Sequence, residues 1–114
     1  MKKNFIPFLT VALLFFAACS NKSTPVAAVP KISYTANVLP LIQSKCAPCH
    51  LPSKGGFKQN FENYDNAQKY ASAMVTRVEL DSTARGYMPF KKAKLGPEEI
   101  NIFRNWVRDG LLEK

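Results

Sequence analysis

Cys46-Ala47-Pro48-Cys49-His50 constrains this chain more than any other stretch. Two thiols three residues apart, followed at once by an imidazole, are what covalent haem attachment requires. Each thiol adds across one haem vinyl group to give a thioether, and the adjacent His is carried to the iron as proximal ligand. The stretch holds the only His of the chain and two of its three Cys. Three other uses of the same residues compete. A structural zinc site normally takes four protein ligands, and only Cys46, Cys49 and His50 are near one another here. A thioredoxin-like redox pair needs a βαβ context that the chain does not show. The third is a plain structural disulfide. Covalent haem is the expected use.

At these five residues the chain resembles the mono-haem c-type cytochromes, in particular their small class I-like domains. The resemblance implies an all-α, cytochrome c-like fold, with about three helices around one covalent haem c. It implies Cys46 and Cys49 as the thioether residues and His50 as an iron ligand. It also implies an electron carrier and not an enzyme.

The start of the chain stands apart. Lys2 and Lys3 form a short positive region, and Phe5 to Ala18 is an apolar run broken only by Pro7 and Thr10. That run is too short to span a bilayer comfortably and reads as a signal peptide over residues 1–18. Its end, Phe16-Ala17-Ala18-Cys19, resembles a bacterial lipoprotein signal, in which the Cys is lipidated and becomes N-terminal after cleavage. Phe16 stands where such signals usually carry Leu. The resemblance implies that Cys19 is a lipidation site, that the protein is exported, and that it is lipid-anchored in the cell envelope facing the periplasm. Export agrees with the haem motif, because bacterial c-type haem attachment takes place outside the cytoplasmic membrane. Residues 19–33, rich in small residues with Pro25 and Pro30, read as a flexible tether. The domain proper is then 34–114. At about 80 residues it lies near the lower limit for a free-standing core, a limit that a large apolar cofactor relaxes.

Within that domain a first helix is expected to start near Ala36 to Val38 and run into the haem motif. Thr35 or Asn37 would cap it, with Pro40 in its first turn. After His50, Leu51 to Gly56 must be loop, and a carbonyl there, such as that of Pro52, would accept the imidazole Nδ1–H. Tyr64, Ala67, Ala71, Met74 and Val78 follow 3, 4, 3, 4 spacing and predict one middle helix with that face in the core, capped by Asn63 or Asp65. The last helix is marked by Pro97 with Glu98 and Glu99 behind it, and by Gly110 at its end. Ile100, Phe103, Val107 and Leu111 form its stripe, broadened by Ile102 and Trp106. No strand is convincing.

Between the last two helices lies Arg85-Gly86-Tyr87-Met88-Pro89-Phe90, which has no helical period. In c-type cytochromes the second iron ligand is usually a Met on a loop before the last helix, very often followed by Pro. Met88-Pro89 matches in order and position, so the resemblance implies Met88 as distal ligand. Its soft, neutral thioether favours reduced iron and raises the potential relative to a bis-His site. Met74 and an open sixth position are the alternatives. Such cytochromes also cross their first and last helices through an aromatic contact, and Phe103 and Trp106 resemble the residues that serve there.

The whole chain carries 16 Lys and Arg against 8 Asp and Glu. Loss of residues 1–18 removes Lys2 and Lys3 and leaves a net charge of +6, which two haem propionates would lower further. Lys91, Lys92 and Lys94 follow Met88 closely. They read either as an ordinary solvated face or as a basic rim that steers an acidic redox partner. Export and the lack of a recognition motif disfavour nucleic acid as a partner. The expected state is a monomeric electron carrier. The alternative is a haem enzyme or ligand sensor with a labile or open sixth site, but the distal His usual in peroxidase chemistry is missing, because His50 is already committed.

Overall fold

The computed structural model describes residues 28–114, so the leader 1–18 and Cys19 lie outside the described residues. The fold is all-α. Its elements are a π turn (Tyr34–Val38) leading into α1 (Leu39–Lys45), a 3-10 turn (Pro52–Lys54), α2 (Tyr64–Lys69), α3 (Ala71–Glu79) and α4 (Pro97–Arg108).

The first helix begins earlier than the sequence predicts. Ser33, placed at the end of the tether by its sequence, is 7% exposed and caps the turn. Its hydroxyl accepts from the Ala36 N–H, and its own N–H donates to Asn37 Oδ1. Thr35 takes no part in the cap, because its hydroxyl donates to the Glu113 carbonyl. Pro40 explains the wide turn: it has no N–H to donate, and its ring would crowd the carbonyl one turn back. The π turn opens the backbone ahead of it, and α1 starts with Pro40 in its first turn.

The middle helix is two helices. Tyr70 stands between α2 and α3 with φ −106° and ψ 9°, and its N–H is shared between the Asn66 and Ala67 carbonyls. The expected face survives the break: Ala67, Ala71, Met74 and Val78 are all buried. Asn63 caps α2 by accepting from the Asn66 N–H at 2.9 Å. In α4, Glu99 reaches back to the Gly96 N–H at 2.9 Å and also pairs with Lys45 Nζ at 2.8 Å, tying α4 to the end of α1. Those contacts hold the Glu99 carboxyl below its ordinary range, the Lys45 hydrogen bond first. The α4 stripe is rotated from expectation. Ile100, Phe103 and Trp106 are buried, while Val107 and Leu111 are half-buried.

Trp106 is fully buried and packs against Tyr34 at a centroid distance of 5.9 Å. The aromatic contact between the first and last helical segments therefore uses Tyr34 as well as Trp106. Beyond α4 the chain turns back through Gly110 at φ 93°, a left-handed position that suits glycine. The tail then lies beside the start of the domain. Leu112 O accepts from both Tyr34 N (2.8 Å) and Trp106 Nε1 (2.9 Å), and Ser33 and Leu112 form a parallel bridge. Asp109 accepts from the Ile32 N–H at 2.9 Å, chiefly for which its carboxyl is held low. Ile32 and Ser33 thus belong to the folded unit and not to the tether. Trp106→Ala is expected to cost about 3–5 kcal/mol in urea unfolding, through the cavity it leaves. Trp106→Phe is expected to cost less, with the Leu112 carbonyl losing one donor.

Candidate functional site

The end of α1 carries the five-residue stretch onto one wall of a cleft of about 680 Å³. That volume falls among ligand pockets, which run from about 300 to 1,000 Å³. Cys46, Ala47, Cys49 and His50 line one side, with Phe61 and Tyr70 beside them. Met74 and Val78 come from α3, Phe103 from α4, and Met88, Pro89 and Phe90 from the loop before α4. Cys46, Cys49 and His50 from one stretch of sequence and Met88 from another therefore border one cavity. Met74 borders it too, from a buried core position.

His50 is oriented by two contacts. Its Nδ1 lies 2.7 Å from the Gln59 carbonyl oxygen. A carbonyl only accepts, so Nδ1 carries the hydrogen, and in the neutral ring Nε2 keeps its lone pair for a metal. The Pro52 carbonyl does not fill this role. It accepts from the Gly55 N–H within the 3-10 turn, while the chain runs on to bring the residue 59 carbonyl to the Nδ1 edge of the ring. The imidazole also stacks on Phe61, with centroids 4.5 Å apart and planes 11° from parallel. Neither partner was legible in the sequence, since a contact nine or eleven residues away depends on the path of the loop.

That path is set by close backbone packing. Leu51 N donates to Pro48 O, Lys58 N to Cys49 O, and Phe61 N to His50 O. Gly56 lies so near the attachment stretch that a Cβ there would fall 2.2 Å from Pro48 O and 2.6 Å from Cys49 O. No other residue fits without moving one of the two backbones.

Cys46 and Cys49 are free thiols in different surroundings. Burial pushes the Cys46 thiol up to about 11, offset in part by the Lys92 ammonium, whereas Cys49 is exposed. Among the described residues, no three His, Cys, Asp or Glu side chains gather to hold an ion between them. The cleft is cationic where it is charged at all: among the described residues Lys45, Lys58, Arg77 and Lys92 line it, and no carboxylate does.

These residues fit a covalent haem. A mostly apolar cleft bordered by two thiols, an imidazole presenting Nε2 and a thioether matches the donor set that the group needs. No protein-family model, curated protein or solved structure matches this chain.

Gly56→Ala is expected to shift residues 46–50 and to destabilise the domain, read as a lower midpoint in urea unfolding. In the haem-free chain, iodoacetamide is expected to label Cys49 faster than Cys46, since the thiolate is the reactive form and burial suppresses it. Mass spectrometry of the partly labelled protein reads the order.

Proposed function

We propose that this domain is a mono-haem c-type electron carrier. The observation that carries the reading is the single cleft bordered by Cys46, Cys49, His50 and Met88, with the His50 tautomer fixed by Gln59. Cys46 and Cys49 hold the haem through thioethers, His50 is the proximal ligand and Met88 the distal one. Bound there, the haem iron supplies a one-electron couple between ferric and ferrous forms.

The chain's own residues account for the rest of the task. Gln59 and Phe61 keep the imidazole in one orientation, so the ring would need little rearrangement when it held a redox-active iron. Met74, Val78 and Phe103 make the cleft wall apolar, which would exclude water from a bound haem and favour its less charged form. Choice of a carrier over a haem enzyme rests on the lining, which among the described residues offers no carboxylate and no second imidazole for acid–base work. The helices, with the cofactor among them, make up a small cytochrome c-like fold. The leader and Cys19 add the reading of an exported monomer, lipid-anchored in the envelope and facing the periplasm. Exposed Phe57 and Phe90, each with a neighbouring lysine over its ring, lie in the loops near the cleft and offer a surface to an acidic redox protein.

Optical spectra test the reading in protein matured by a host that makes c-type cytochromes. Expected are a reduced c-type spectrum, a weak far-red Met–iron band when oxidised, and no change on adding carbon monoxide to the reduced form. A carbon-monoxide-reactive spectrum would move the weight to an enzyme or sensor, and absence of haem would overturn the proposal. Met88→Ala is expected to open the iron to carbon monoxide and lower the potential with attachment intact. Cys46→Ala or Cys49→Ala is expected to cripple attachment itself.

A further inference from the structure

The loop after Met88 is fastened at two places by lysines. Lys92 Nζ donates to Lys45 O at 3.3 Å, on the last residue of α1, and to Ala47 O at 2.5 Å, two residues past its end. Lys94 Nζ donates to Leu80 O at 2.6 Å and to Glu79 O at 3.1 Å, at the C-terminal end of α3. The last carbonyls of a helix have no partners within it, and the helix dipole makes that end negative, so an ammonium is favoured there. The two helices belong to different walls of the cleft: α1 delivers the attachment stretch, and α3 contributes Met74 and Val78. One short segment therefore caps both. Met88 is drawn in from the same side, because its N–H donates to the Arg77 carbonyl at 3.1 Å and the Arg77 guanidinium donates to Gly86 O at 3.1 Å.

We propose that Lys92 and Lys94 are positioning residues that hold the Met88 loop over the cleft by capping α1 and α3. The purpose assigned to them rests on the reading of Met88 as distal ligand. It also revises the charge pattern seen in the sequence. Of the three lysines behind Met88, two are spent on carbonyls of this chain, and the third, Lys91, lies over the Phe90 ring.

The test uses the haem-loaded protein with Lys92→Met and Lys94→Met, singly and together, beside Lys92→Arg and Lys94→Arg. Met keeps the apolar stem and removes the donor, whereas Arg keeps a cationic donor. Amide exchange of residues 86–93, the far-red Met–iron band and the rate of cyanide binding to the oxidised form are measured. Each Met variant is expected to raise exchange and cyanide binding about twofold to fivefold, the range of an exposed charge at a helix end. The double variant is expected to exceed either single one and to weaken the band, and the Arg variants to restore both rates. Unchanged exchange in the double variant overturns the clamp, whatever happens to electron transfer with an acidic partner. Should the wild-type protein lack a Met–iron band, the ligand reading fails separately. Exchange alone then decides the clamp, faster in the Met variants if it exists and equal if it does not.

Discussion

The geometry of this domain depends on the segment 51–61 lying against the backbone of residues 46–50 with no side chain between them. Gly56 permits that contact, and three backbone hydrogen bonds hold it. From it follow the position of Gln59 at the Nδ1 edge of the imidazole and of Phe61 against its face. The order matters physically. A metal ligand must meet the ion at a set angle, and a side chain free to rotate would spend entropy on doing so. Here the loop that follows the histidine has already fixed the ring.

A cleft of this size in so small a domain costs core volume. What remains is a compact apolar cluster of Val38, Ile42, Leu51, Phe103 and Trp106 at its densest, with α3 packed on α4 and the π turn on α4. The elements facing the cleft are held at their ends by polar contacts. Glu99 joins Lys45, Arg104 joins Glu79, and the two lysines behind Met88 reach carbonyls of α1 and α3. Exposed ion pairs of this kind contribute about 0–1 kcal/mol each. They set the spacing of the walls more than they add to stability.

How much of this was legible in the sequence varied with the range of the interaction. The buried faces of α3 and most of α4 followed from spacing, because a helix face is a local property. Met88 was placed by motif order, and the structure puts it on the same cleft as Cys46, Cys49 and His50. Missed were the contacts that depend on where a loop goes: Gln59 in place of Pro52, Phe61, and Tyr34 against Trp106. The break at Tyr70 was hidden because the 3-4 pattern of apolar residues continues through it. Ser33 looked like linker by composition; its cap is made with Ala36 and Asn37, and the bridge to Leu112 is what ties it into the folded unit. Lysines 92 and 94 showed their charge in the sequence but not the direction of their side chains.

The bridge between Ser33 and Leu112 joins the two ends of the described domain at one place. A body whose chain enters and leaves at a single point is topologically close to a ring. A short connection from residue 114 to residue 32 would close it without disturbing any helix, and the chain could then be opened elsewhere, at an exposed turn such as that near Ser82. It also means that a pull on residues 28–31 meets the Ile32–Asp109 hydrogen bond and then the Ser33–Leu112 bridge before it reaches α1.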